Sequence, residues 1–99
     1  MSYSSIDPII NNWVDANGLH LYKEYKDIEV RSVDVVNADG QRCQIWIDKP
    51  NDAGLIGVHV WDFKKRGNKR DFLISSTDLF EYLSHTLTLA IKWNGRLAK

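Results

Sequence analysis

The sequence predicts an α+β fold in which an N-terminal and a C-terminal helix pack on one face of an antiparallel sheet of four to five strands. Two patterns support this prediction. Apolar residues recur at helical spacing near both ends of the chain, whereas they alternate with polar or aromatic residues along the segments between. Short connections join those segments, which favours a meander in the order α-β-β-β-β-β-α. All 99 residues are expected to form one compact domain with short loose termini.

The first helix is predicted over residues 5–16. Its apolar residues have the spacing of a single stripe along one side of a helix: Ile6, Ile9, Ile10, Trp13 and Val14. Pro8 suits the first turn, because the N–H that proline lacks would have no partner there. The Asn17-Gly18 pair that follows readily adopts the left-handed conformation in which many helices end.

Two strands are predicted next, over residues 19–26 and 28–36, and the second is rich in β-branched residues. The apolar residues of this second segment occupy one face in its first half and the opposite face in its second half. Either both faces are partly covered, or a bulge near Arg31 and Ser32 shifts the alternation by one residue. We favour the bulge.

A hairpin between residues 41–48 and 55–63 is predicted to form the centre of the sheet. Apolar side chains occupy every second position in both segments: Cys43, Ile45, Ile47, Ile56, Val58 and Val60. The expected register places Ile45 opposite Val58, with residues 49–54 as the connection. Because side chains alternate between the two faces of a sheet, this apolar set should point toward the helices.

A last short strand is predicted over residues 71–75, and a final helix over residues 77–93. The segment Ser75-Ser76-Thr77-Asp78 offers several residue types that cap a helix at its N-terminus. The core predicted from the two helices and the central hairpin has eight members: Ile10, Trp13, Ile45, Ile47, Val58, Val60, Leu83 and Leu87.

Composition limits the classes of partner. The 13 basic and 13 acidic side chains cancel, so the chain as a whole has no field that would attract nucleic acid or an anionic membrane. The single cysteine, Cys43, cannot form an intrachain disulfide. The first residues lack the pattern of a signal peptide, and no apolar stretch is long enough to cross a membrane. We therefore expect a cytoplasmic protein without a membrane partner.

The sequence contains no familiar catalytic or metal-binding motif. It has no glycine-rich phosphate loop, no G-x-S-x-G, no C-x-x-C and no H-E-x-x-H. His20, His59 and His85 lie on three separate predicted elements, so neither a metal nor a cofactor is expected. His59 and Asp62 are three residues apart in a strand and should face opposite sides, which argues against a catalytic dyad. The sequence thus favours a non-catalytic protein over an enzyme.

The outward positions of the central hairpin, together with the basic turn at residues 64–70, form the candidate binding face. The ten candidate residues are aromatic, basic or histidine: Arg42, Trp46, His59, Trp61, Phe63, Lys64, Lys65, Arg66, Lys69 and Arg70. Arg42 is expected to lie over the Trp61 ring. Contiguous exposed rings usually bind a partner. The alternative is that loops or the first strand cover these rings and make a second small core.

A non-catalytic protein-binding domain of a regulatory or immunity type is the preferred function. It would use the aromatic and basic face to bind a protein partner or a second copy of the chain. The first alternative is single-stranded nucleic-acid binding, in which sheet aromatics stack on bases and the basic turn contacts phosphates. The second is a small-molecule enzyme or ligand-binding domain. The basic turn also has a simpler interpretation, as a solvated hairpin tip whose charges prevent edge pairing.

Overall fold

The computed structural model describes residues 2–37 and 39–94 of the 99-residue chain. Its elements are α1 (Asp7–Asn17), β1 (Leu21–Tyr25), β2 (Ile28–Val36), β3 (Arg42–Ile47), β4 (Leu55–Asp62), β5 (Lys69–Ser75) and α2 (Leu79–Asn94). The five strands form one sheet in sequence order, and every neighbouring pair is antiparallel. The predicted α+β meander with a helix at each end is confirmed.

The helices begin slightly later than the sequence predicts. α1 begins at Asp7 and ends, as expected, at Gly18 in the left-handed region with φ 62°. α2 begins at Leu79, because Ser76–Asp78 form a tighter 3₁₀ turn of the kind common at helix starts. Neither described helix is long and apolar enough to cross a membrane. The tail expected to be loose, residues 96–99, lies outside the described residues.

The register of the central hairpin differs from the prediction by two residues. Ile45 pairs with Val60 and not with Val58, so the expected pairing is wrong. The cause is the connection, in which Gly54 donates its N–H to the carbonyl of Asn51 at 2.9 Å and closes a four-residue turn. Each β3 residue therefore pairs with a β4 residue two positions further from the turn than expected. A shift of two residues keeps each side chain on its own side of the sheet, so the assignment of faces is unaffected.

The sheet packs against the helices through one face only. We call this the inner face, which carries Ile45 and Val60, and we call the opposite side, which carries Trp46, His59 and Trp61, the outer face. α2 packs on β2 to β5, and α1 packs on α2. All eight predicted core residues are buried, so the predicted core is confirmed: Ile10, Trp13, Ile45, Ile47, Val58, Val60, Leu83 and Leu87.

The predicted bulge in β2 is present. Lys23 of β1 faces two residues of β2, Val30 and Arg31, so the extra residue lies within one position of the predicted place. Arg31, the second residue of the bulge, points to the inner face, where its Nε and Nη2 donate to the Asp7 carboxylate at 2.8 and 3.0 Å. Its guanidinium also stacks 4.4 Å from the centre of the Tyr3 ring. The bulge therefore connects the sheet to the start of α1.

Candidate functional site

The outer face carries most of the exposed apolar surface. Among the described residues, seven large apolar side chains are exposed, and only Phe80 of α2 lies away from this face. The other six belong to the outer face or its edges: Tyr22, Tyr25, Ile28, Val36, Phe63 and Leu73. Large apolar side chains concentrated on one exposed face of a folded protein favour a binding surface.

Trp46 and Trp61 are half-buried at the centre of the outer face. Each tryptophan packs against a more exposed ring. Trp46 meets the Tyr25 ring edge-on, with 6.5 Å between the ring centres, and Trp61 meets the Phe63 ring edge-on, with 6.2 Å between the centres. Such pairs prefer edge-to-face contacts, which hold the rings in fixed orientations. The rings are partly covered by one another and partly open to solvent.

Arg42 does not lie over Trp61, so this predicted contact is wrong. The two-residue shift in register places Gln44 opposite Trp61 and brings Phe63 beside Arg42. Phe63 donates its backbone N–H to the carbonyl of Arg42 at 3.1 Å, and the Arg42 guanidinium lies 5.7 Å from the centre of the Phe63 ring. A cation–π contact therefore forms with the neighbouring ring, and Asp34 pairs with Arg42 at 3.4 Å.

Among the open grooves on the outer face are two of about 470 and 490 Å³. Phe63 lines both and stands between them. The groove that we call the His59 groove is lined by His59, Trp61, Asp62, Phe63, Arg66, Lys69 and Asp71. The other, the Trp46 groove, contains Tyr25, Asp34, Arg42, Gln44 and Trp46. Both grooves combine aromatic walls with charged groups at their edges.

The structure brings four of the five basic residues of the turn to the end of the outer face nearest Phe63. Arg66 and Lys69 line the His59 groove, Lys64 lies beside Phe63, and Lys65 is exposed at the turn. Arg70 is different, because alternation along β5 points it to the inner side, where its guanidinium lies 5.8 Å from the centre of the Trp93 ring. Arg70 is therefore not part of the outer face.

His59 is held between two carboxylates. Its Nε2 lies 2.7 Å from Asp48 Oδ2, and its Nδ1 lies 2.6 Å from Asp71 Oδ1. Asp71 is the cross-strand neighbour of His59 on β5, whereas Asp48 directly follows β3. Asp62 lies buried on the inner face, as expected from its spacing, and accepts a hydrogen bond from the backbone N–H of Lys64 at 2.8 Å.

Gly57 makes room for the contact between Asp48 and His59. A Cβ atom at position 57 would collide with the Asp48 carboxylate and would lie 3.1 Å from His59 Nε2. A glycine in the middle of a strand often marks such a close approach. Asp48 and Asp71 were not among the predicted site residues, because their contacts with His59 depend on the register at two connections. Gly57 was the one sequence signal that could have pointed to them.

The two carboxylates stabilise the charged form of the imidazole. Burial alone would lower the pKa of His59, but the hydrogen bonds and charges of Asp48 and Asp71 outweigh burial and raise that pKa above 6.5. The hydrogen bond from His59 in turn lowers the pKa of Asp71 from its ordinary value of 3.8. The geometry and the two shifts therefore favour the charged forms of His59 and Asp71.

The described residues contain no group of three or more His, Cys, Asp or Glu side chains placed to hold a metal ion. Cys43 is buried, and its Sγ donates to the Asn94 Oδ1 at 3.3 Å. Burial, and then the charge of Asp62, raise the pKa of the Cys43 thiol to about 11. A thiol that stays protonated at neutral pH packs as a small apolar side chain and is a poor nucleophile.

The chain matches no protein-family model, no curated protein and no solved structure. The chemical features of the outer face are its exposed rings, its grooves, its basic end and a histidine held between two carboxylates.

Proposed function

We propose that the chain is a non-catalytic protein-binding domain, of the regulatory or immunity kind, whose outer face binds an acidic surface of a partner protein in the cytoplasm. The observation that carries the proposal is the concentration of exposed apolar side chains on the one sheet face that no helix covers. Leaving a large apolar side chain in water forgoes about 1.5–3 kcal/mol of burial. A partner that covers Phe63 and completes the burial of Trp61 would recover that free energy.

The basic end of the outer face favours an acidic partner. Lys64, Lys65 and Arg66 form no salt bridge with the described residues, and Lys69 has only a 3.9 Å contact with Asp71. Unpaired basic groups around an aromatic side chain attract carboxylates, and they speed association and fix its orientation more than they add affinity. Tryptophan and arginine are also the residues most often found as binding hot spots.

Single-stranded nucleic-acid binding is the second candidate, favoured by the position of Arg66 and Lys69 beside Trp61. Acidic groups among the rings weigh against it. Asp34 lines the Trp46 groove and Asp71 lines the His59 groove, so a phosphate backbone laid along either would meet negative charge. A protein surface can place its own charges to avoid both.

The test is capture of partners on the immobilised chain, using wild type, Trp61→Ser and Phe80→Ser side by side. We expect Trp61→Ser to stay folded and to lose the captured protein, because Trp61 is half-exposed on the outer face. Phe80→Ser is the matched control, since Phe80 is 44% exposed on α2. Circular dichroism of each variant separates loss of binding from loss of folding.

Each result of this experiment distinguishes between the alternatives. Capture that disappears after nuclease treatment identifies nucleic acid as the ligand and contradicts the proposal. Light scattering that shows a wild-type dimer and a Trp61→Ser monomer identifies a second copy as the partner. If Trp61→Ser unfolds, the ring belongs to the core. If Phe80→Ser loses as much binding as Trp61→Ser, the outer face is not the interface.

A further inference from the structure

We propose that Asp48, His59 and Asp71 form a proton-operated latch on the outer face, closed while both ring nitrogens of His59 carry protons and released at Asp71 when one proton leaves. Asp71 and His59 line the His59 groove, so the latch would regulate the proposed binding surface. Its effect on binding rests on the proposed function. Its existence rests on the geometry of the three side chains alone.

The first step of the argument is a count of donors. Both contacts are short, 2.7 Å at Nε2 and 2.6 Å at Nδ1, and each acceptor is a carboxylate oxygen. An ionised carboxylate only accepts hydrogen bonds, so both ring nitrogens must donate. A neutral imidazole has one N–H. The arrangement is therefore that of an imidazolium, and loss of one proton places a nitrogen lone pair against a carboxylate oxygen.

The surroundings of the two carboxylates decide which contact breaks. Asp48 lies across Gly57, against the backbone of β4, where a Cβ atom would collide with it. Asp71 stands on β5, an edge strand of the sheet, with Lys69 Nζ already 3.9 Å from its Oδ2. The two carboxylates are about equally exposed, 49% for Asp48 and 54% for Asp71, so the second cation beside Asp71 distinguishes them. The deprotonated form should keep Nε2–H on Asp48 and leave Nδ1 bare.

The other charges around His59 are consistent with this outcome. Lys49, next to Asp48, lines a further groove of about 310 Å³ that also contains His59. Arg66 of the basic turn, Lys69 of β5 and the Asp62 carboxylate at the end of β4 line the His59 groove. Trp46, the cross-strand neighbour on β3, carries no charge. The carboxylates are the groups in contact with the ring, and they raise the pKa of His59 against the opposing effect of burial.

Release of the latch would change the charge of the His59 groove. The imidazole loses its positive charge, and the released Asp71 carboxylate pairs with Lys69, which removes a second positive charge from the groove. Both changes weaken attraction for an acidic partner. Binding of such a partner should therefore be tighter below the pKa of His59 than above it.

The test is an NMR titration of the His59 ring nitrogens in the full chain, which needs no partner. Wild type should show two ring N–H groups at low pH, a midpoint above 6.5 and only Nε2–H at high pH. Asp71→Asn should lower the midpoint, because it removes one of the two charges that favour the imidazolium. Asp34→Asn is the matched control, since that outer-face carboxylate pairs with Arg42 and should leave the midpoint unchanged.

Two results would overturn the latch. A wild-type midpoint at or below 6.5 would mean that the carboxylates do not hold the ring charged. A proton retained on Nδ1 at high pH would mean that Asp48, and not Asp71, is released. Neither result depends on binding. If the titration shows the latch but no partner binds, only the proposed function is rejected. If a partner binds equally at all pH values, only the regulation of binding by the latch is rejected.

Discussion

At the scale of single residues, the contact between His59 and Asp48 requires a glycine at position 57. The glycine leaves space that the Asp48 carboxylate fills, and the carboxylate reaches His59 Nε2 at 2.7 Å only by crossing that space. In most strands a glycine is a weakness, because it lacks a side chain to pack and loses more backbone entropy on folding. Here it is required by a neighbouring side chain.

Gly57→Ala should therefore reduce stability, although glycine to alanine at an unstrained position commonly adds about 0.4–1 kcal/mol. The new methyl group displaces Asp48 and should also lower the His59 midpoint. Gly67→Ala is the control, because a Cβ atom there would meet nothing within 4 Å. Urea denaturation of both variants tests the prediction, and equal stabilities of the two would contradict it.

At the scale of elements, the two faces of the sheet should respond differently to truncation. Ile45 and Leu83 are fully buried between the sheet and α2, whereas Leu73 is 62% exposed on the outer face of β5. The inner residues hold the helices on the sheet, and we expect exposed outer residues such as Leu73 to contribute little to folding.

Ile45→Ala or Leu83→Ala should cost about 2–5 kcal/mol of unfolding free energy, since each leaves a cavity in the core. Leu73→Ala, an apolar truncation on the outer face, should change it by no more than about 0.5 kcal/mol. Chemical denaturation gives all three values. A large loss from Leu73→Ala would show that the outer face is a second core.

The elements, the faces and most residues of the outer face could be predicted from the sequence, but the contacts of His59 with Asp48 and Asp71 could not. Alternation in residues such as Ile45 and Val60 assigns each face whatever the register, so the two-residue error did not affect the core. The contacts of His59 require the register itself, which depends on how the turn between Asn51 and Gly54 closes. Backbone geometry of that kind is only weakly encoded in side-chain pattern.

At the scale of the whole molecule, the charged unit around His59 makes stability depend on pH. The pKa of His59 is raised in the folded chain, so its contribution is fully present below its ordinary value of 6.5 and is lost as pH rises through the raised pKa. The pKa of Asp71 is lowered, so its contribution is present above 3.8 and is lost as pH falls through the lowered value.

The difference in stability between wild type and His59→Gln should therefore be largest between these limits and should shrink as the solution becomes alkaline. Thermal or urea unfolding of both proteins across the pH range measures it. A difference that grows with rising pH would mean that the imidazole is held neutral in the folded chain.

The central claim is that the outer face binds a protein, and the dissociation constant of the captured partner with Phe63→Ser and Phe80→Ser tests it most directly. Phe63 is 56% exposed between the two grooves, and Phe80 is 44% exposed on α2, so the pair differs mainly in which surface it changes. Loss of a hot-spot ring of about 2 kcal/mol corresponds to roughly a 30-fold weaker complex. We predict that loss for Phe63→Ser and no change for Phe80→Ser. Equal affinities for both variants would contradict the claim.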